Sequence, residues 1–382
     1  MVTWEFATAG RIVFGAGVRH QLSDLAADLG TRRLLVVGAH VARNAAVRSA
    51  FEAARIIVHG EPTLAAVREG VATYRRDACD MVVAIGGGSA LDTGKAIAAL
   101  APNSGDPLDY LEVIGRGRQL ETTPAPCIAM PTTAGSGSEV TRNAVLGSPE
   151  HGVKASLRHA RMLPRIALID PELTLTLPID VTVTTGLDAL TQLIEPYVSR
   201  RASPLTDALC LDGIGRIARS LPVAASAEGA SSLDARTDMS VASLFGGLAL
   251  ANAGLGVVHG FAAPIGAMFP APHAAVCAAL LPHGVAANLR ALRARAPDDP
   301  AIARYAQVAA VLTNDGSATA EDGADALLQL CRRLGVPRLA TFGVRGEHLD
   351  EICRRAQQAS SMKANPVVLS QDELKKLAMV AI

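Results

Sequence analysis

Aromatic residues are scarce in this sequence: one Trp, four Tyr and seven Phe among 382 residues, 3% of the chain. A core of that size must therefore be filled mainly by Ala, Val, Leu and Ile. Net charge is also missing, since 36 Lys and Arg balance 36 Asp and Glu. No basic stripe stands out against that balance, so neither a nucleic-acid nor an anionic-membrane partner is expected. The six cysteines (Cys79, Cys127, Cys210, Cys277, Cys331, Cys353) form no C-x-x-C pair. In so long a chain they read as small buried hydrophobes, not as a disulfide frame or a zinc knuckle. The N-terminus shows no basic region followed by an apolar stretch, and no run reaches eighteen apolar residues. Neither a secretory signal nor a membrane span is expected, and the plain reading is a cytoplasmic protein.

What is present is length and pattern. At 382 residues, 49% hydrophobic and 19% charged, the chain suits two globular domains. Up to residue 178, short apolar runs alternate with helical segments: Leu34–Gly38, Ile56–Val58, Met81–Ile85, Cys127–Met130 and Ile166–Ile169. Such alternation predicts a parallel, Rossmann-like sheet covered by helices on both faces. From 179 to 382 the strand-like runs vanish, and Ala/Leu-rich helical segments follow, including Thr185–Val198, Pro204–Ser220, Ser232–Ala253 and Ala301–Leu312. Breaks are expected at Pro264, at Pro270-Ala271-Pro272 and at Asp298-Asp299-Pro300.

Two glycine-rich turns carry the first chemical signal. Gly86-Gly87-Gly88-Ser89 follows the strand ending at Ile85, and Ser89 to Lys95 then reads as a helix start. Without Cβ atoms, backbone N–H groups in such a turn can approach a phosphate closely. Neither standard phosphate motif fits, because the dinucleotide fingerprint needs glycine at Leu91 and the P-loop needs glycine at Ser89. Pro131-Thr132-Thr133-Ala134-Gly135-Ser136-Gly137-Ser138-Glu139 follows another strand and places hydroxyls and amides at the same end of the sheet. Ligands bind at the carboxyl ends of parallel strands, so the pair of loops favours a nucleotide.

Those two loops resemble the signature loops of the iron-containing (group III) alcohol dehydrogenase family. Phe14-Gly15-Ala16-Gly17, Asp170-Pro171-Glu172-Leu173, Leu177-Pro178 and Gly186-Leu187-Asp188-Ala189-Leu190 are similar to further family motifs, so the likeness spans the chain. It implies an N-terminal dinucleotide-binding domain over 1–178, a helical domain over 179–382, and a metal with the nicotinamide in the cleft between them. By position it assigns Gly87, Gly88 and Ser89 to the pyrophosphate, with Asp92 nearby. It assigns Thr132, Thr133 and Ser138 to the rest of the cofactor, with further contacts from Asn143 and Lys154. It also implies a homo-oligomer, dimeric or larger. NAD or NADP is a question of charge. The second strand ends Val37-Gly38-Ala39-His40 with no acid, and Arg43 follows, which removes a barrier to a 2′-phosphate and favours NADP.

The family's metal ligands are an Asp, a His four residues later, and two later His residues fourteen apart. Asp188, His259 and His273 match, while Gln192 stands where the first His should be and Ala263 replaces a further His. On one straight helix, fourteen residues would hold His259 and His273 roughly 21 Å apart. The intervening prolines place them on two helices, which can bring both imidazoles together. Three readings stay open: Asp188, Gln192, His259 and His273 bind Fe²⁺ or Zn²⁺; His259 or His273 donates a proton directly without metal; or the histidines are structural. The matching functions are an alcohol/carbonyl dehydrogenase, a maleylacetate reductase-type enzyme, or a non-catalytic nucleotide-binding protein. The apolar stretch Phe261, Ala263, Ile265, Met268 and Phe269 suggests a small alcohol, aldehyde or ketone as substrate.

Overall fold

A computed structural model describes residues 3–41 and 54–382. The chain forms two compact units, Thr8–Leu175 and Thr176–Ile382, the latter together with the N-terminal segment ending at Ala7. That segment is held by Asn252, whose Oδ1 accepts from the Ala7 N–H at 2.7 Å and whose Nδ2 donates to the Ala7 carbonyl at 3.0 Å.

The first unit is built on a six-stranded sheet of β1 (Ile12–Phe14), β2 (Arg33–Gly38), β3 (Ala54–Val58), β4 (Met81–Gly86), β5 (Cys127–Pro131) and β8 (Ile166–Ile169). Its order is β1-β8-β5-β4-β2-β3, and every pairing is parallel. Buried on both faces, these strands read as continuous apolar runs. Alternate residues of β4 serve two cores: Val82 and Ala84 join one cluster, Met81, Val83 and Ile85 the other. Helix α1 (Leu22–Ala27) belongs to the second cluster, while α2 (Leu64–Arg76) and α3 (Gly88–Leu100) pack into the first. Gly94 lets α3 lie against β4, since a Cβ there would stand 2.5 Å from the Ala84 Cβ.

The antiparallel pair β6 (Asn143–Ser148) and β7 (Val153–Arg158) was not expected from the sequence. Its first strand alternates half-buried and buried residues along Asn143–Ser148. A half-buried strand of that kind lacks the continuous apolar run that marks the central sheet.

The second unit is helical: α4 (Ile179–Tyr197), α5 (Pro204–Ala224), α6 (Leu233–Ala253), α7 (Val257–Met268), α8 (His273–Arg295), α9 (Pro300–Thr313), α10 (Ala320–Arg333), α11 (Leu349–Gln358) and α12 (Gln371–Ala381). The expected break at Pro264 does not occur, because Pro264 sits inside α7. A proline there forfeits one rung of the helix. Yet Pro264 is buried among Phe261, Ala262 and Ile265, so tertiary packing keeps the helix continuous. The Pro270–Pro272 stretch does separate two helices, and Asp299 caps α9 by accepting from the Ala301 N–H at 2.9 Å. Helix α8 is long and apolar enough to cross a membrane by composition, but 83% of its apolar window is buried, which makes it the core helix of this unit.

Candidate dinucleotide loops and candidate metal centre

The strand β4 runs into Gly86, whose φ of +153° a side chain would resist. Helix α3 then starts at Gly88 with Gly87 as its cap residue, and no side chain caps that N-terminus. No acid lies in its first turn. A helix start with free N–H groups, no cap and no acid fits a phosphate. The facing loop closes in on it: a Cβ at Gly88 would stand 2.9 Å from the Ser136 Cβ, and one at Gly87 3.4 Å from the Thr133 Cγ2. Both expected loops are therefore neighbours at the carboxyl ends of β4 and β5. Ser89, Thr132 and Thr133 are half-buried there, and the Thr132 N–H donates to the Gly86 carbonyl at 2.9 Å.

Asp92 and Ser138 are engaged with the protein itself. The Ser138 hydroxyl donates to Asp92 Oδ1 at 2.5 Å, and the Val145 N–H donates to Asp92 Oδ2 at 2.8 Å. Lys95, fully buried, reaches Asp92 at 3.1 Å, the Thr141 hydroxyl at 2.8 Å and the Asn143 carbonyl at 2.5 Å. These bonds tie α3 to the second loop and to β6, so Asp92 and Lys95 position the cradle. Lys154 on β7 pairs with Glu61 at 3.3 Å. Glu139 is buried, its Oε2 unpartnered; burial pushes its carboxyl up to about 7 despite nearby Lys95. Of the two cations considered for a 2′-phosphate, His40 is exposed just past β2, and Arg43 lies outside the described residues.

Two of the other motifs meet at one carboxylate. Asp170 is buried and accepts from the Gly17 and Arg19 N–H groups, both at 3.1 Å, and from the Glu172 N–H at 3.0 Å. Their role is structural, fixing the loop after β1.

In the helical unit, Asp188 and Gln192 project from one face of α4, His259 from the first turn of α7, and His273 from the first residue of α8. Asp188 Oδ1 lies 3.4 Å from His259 Nε2 and 3.9 Å from His273 Nε2, and the imidazole centroids are 5.5 Å apart. Asp188 Oδ1, Gln192 Oε1 and His259 Nε2 are all buried without a hydrogen-bond partner. Three buried polar atoms left without partners are costly unless a ligand satisfies them. An Asp, two His and a neutral amide are apt ligands for a divalent metal, so the residues present fit one.

The buried charges of the cluster perturb one another. Burial pushes the Asp188 carboxyl up, but the facing imidazoles outweigh it and hold it below the ordinary carboxylate range. Burial opposes protonation of His259, yet Cys277, Glu195 and Asp188 raise it well above the ordinary histidine value. His273 is raised to about 9, chiefly by Cys277. The cluster attracts positive charge.

Two neighbours were missed in the sequence. Glu195 accepts from the Gly256 N–H at 2.9 Å and the Val258 N–H at 2.6 Å, and bonds His259 Nδ1 at 2.7 Å. It thus holds both the start of α7 and the ring of His259, leaving Nε2 turned toward Asp188. Its spacing, seven residues after Asp188, places it on the same helical stripe and could have revealed it. Cys277 stands 3.7 Å from His273 Nε2 and was read only as a buried hydrophobe. Asn365, expected merely as part of a helix stop, accepts from the Val257 N–H at 3.1 Å and interlocks with Asn288. Of the residues expected to line a substrate pocket, Phe261 and Ile265 are fully buried core.

Comparison with known proteins agrees with this geometry. Residues 9–171 match the family described as "Iron-containing alcohol dehydrogenase", and residues 182–382 match "Fe-containing alcohol dehydrogenase family, C-terminal". The chain is 36% identical to a 1,3-propanediol dehydrogenase of Klebsiella pneumoniae over 81% of this chain and 77% of that one. It is 31% identical to an NAD-dependent methanol dehydrogenase of Bacillus methanolicus over 97% of each. Its fold superposes on a solved alcohol dehydrogenase from Oenococcus oeni with a TM-score of 0.88 at 31% identity, covering 100% of both chains.

Proposed function

The chain belongs to the iron-containing alcohol dehydrogenase family and is an oxidoreductase, and we propose that it transfers a hydride reversibly between a nicotinamide dinucleotide and a small alcohol/carbonyl pair. The observation that carries a metal-assisted version is the convergence of Asp188, His259 and His273, with Asp188 Oδ1 and His259 Nε2 buried and unpartnered. When bound, the dinucleotide supplies or accepts the hydride and a divalent cation supplies Lewis-acid polarisation of the substrate oxygen.

The chain's own residues do the rest. Gly87, Gly88 and Ser89 offer backbone N–H groups to the pyrophosphate, and Thr132 and Thr133 offer hydroxyls beside them. Asp92, Ser138 and Lys95 hold that frame rigid, with Asn143 contributing its carbonyl. Glu195 fixes the tautomer and orientation of His259, and Asp188 supplies the negative charge that a cation needs. Lys154 is already paired with Glu61, which counts against a dicarboxylate substrate of the maleylacetate type.

We take NADP to be the preferred cofactor, because Ala39 and His40 leave no carboxylate beyond β2 to repel a 2′-phosphate. A cytoplasmic setting accords with six free cysteines. The test is an NADH and NADPH oxidation assay across small aldehydes and ketones, with the metal removed by a chelator and restored. We expect turnover that is lost on chelation and recovered with metal, and a lower KM for NADPH. Full turnover after complete metal removal would leave direct proton donation by His259 or His273 instead. A strong NADH preference would refute the NADP assignment.

A further inference from the structure

Gln192 leaves the cluster one strong ligand short of the family pattern, and its amide oxygen packs 3.4 Å from where a Cβ on Gly246 would stand. A neutral amide is a weak replacement for imidazole. On the opposite side, α8 supplies a stronger donor. Cys277 follows His273 by one helical turn, so both side chains share a face. It is fully buried, and its sulfur, Asp188, His259 and His273 present ligand atoms that all lie within 4.8 Å of one another.

We propose that Cys277 is a metal ligand in this chain, giving an Asp188–His259–His273–Cys277 donor set in which a thiolate takes the place vacated at Gln192. The inference rests on the metal-assisted reading of the same site. Its geometry can be checked against metal chemistry. Tetrahedral zinc, with bonds near 2.0 Å to N or O and 2.3 Å to S, separates N and O donors by about 3.3 Å and S and N donors by about 3.5 Å. The observed 3.4 Å between Asp188 and His259 and 3.7 Å between Cys277 and His273 are close to those values. The 3.9 Å between Asp188 and His273 must close by about 0.6 Å to reach that spacing.

Chemistry agrees with geometry. Asp188 Oδ1 and His259 Nε2 are more than nine-tenths buried, unpartnered, and turned into this space. With Cys277 bound as a thiolate beside the Asp188 carboxylate, two anionic ligands neutralise a divalent ion. A thiolate also moves the site toward borderline-soft ions, favouring Zn²⁺ more than an all-imidazole set would. The His273 side chain is 42% exposed, which leaves one side of the cluster accessible.

The test is spectroscopic and needs no turnover. Metal-free protein is loaded with Co²⁺, the bound ion is counted by equilibrium dialysis, and the near-ultraviolet thiolate-to-cobalt charge-transfer band is recorded. We expect one bound Co²⁺ with that band. In Cys277→Ser and Cys277→Ala the band should vanish and affinity should fall by at least about tenfold, while Gln192→Ala and Cys210→Ser should retain the band. Absence of the band in the unmutated protein is itself decisive against the idea, and two different Cys277 replacements guard against a variant that misfolds. Co²⁺ bound without a thiolate band overturns the assignment of Cys277 and leaves a metal site intact. No bound Co²⁺ at all overturns the metal-assisted reading with it. A band that survives Cys277→Ser places the thiolate elsewhere and also overturns the proposal.

Discussion

The buried acid Glu195 does three jobs with two oxygens. It accepts from two backbone N–H groups at the start of α7 and bonds the His259 ring. Replacing it by Ala would leave the Gly256 and Val258 N–H groups buried without acceptors, at about 1–3 kcal/mol for each. Glu195→Ala should therefore lower the urea-unfolding free energy by about 2–6 kcal/mol. Glu195→Gln keeps the volume and one carbonyl oxygen, but loses the carboxylate that orients His259. Its expected signature is a 10- to 100-fold weaker metal affinity, read by Co²⁺ titration, with a smaller loss of stability. Equal metal affinity in Glu195→Gln and the unmutated protein would show that the His259 ring is held by other contacts.

At the scale of elements, the α3–β4 pair sets the glycine turn between them through close packing. Gly94 faces Ala84, and a methyl at that point would lie 2.5 Å from the Ala84 Cβ. The helix would have to move off the sheet, and with it the glycine turn at its start. Gly94→Ala should cost about 1–3 kcal/mol in urea unfolding, although Ala is the better helix former. A neutral or stabilising result would mean that the α3–β4 contact relaxes freely. The sequence showed this pair plainly, because a strand buried on both faces must be continuously apolar and the glycines stop it abruptly. It showed β6 and β7 poorly, since a separate two-stranded hairpin carries only a weak alternation. It misjudged Pro264, because a lost backbone bond is a local term and the burial that offsets it is not.

For the molecule as a whole, one buried carboxyl links stability to pH. Glu139 has its pKa raised from an ordinary 4.5 to about 7 in the folded state. Between those values folded Glu139 holds its proton longer than unfolded Glu139, so its contribution to stability falls as pH rises and levels off above about 7. Glu139→Gln should remove that fall, which is on the order of 3 kcal/mol. Urea unfolding at pH 5 and pH 8 reads it directly. A variant that shifts stability equally at both pH values would show that Glu139 is solvated or compensated. Much of this protein was determined by the sequence alone. Its patterning fixed a parallel α/β unit followed by a helical one, and its two glycine turns marked two loops that meet at the carboxyl ends of β4 and β5, because strands, helix starts and tight turns are written in neighbouring residues. The spacing of Asp188, His259 and His273, through its likeness to a family, marked three side chains that the structure brings together. Only the tertiary structure decided that Glu195 grips His259 and that Cys277 faces the same point. Those contacts join residues 64 and 89 positions apart along three helices, and no local pattern records where separate helices will cross.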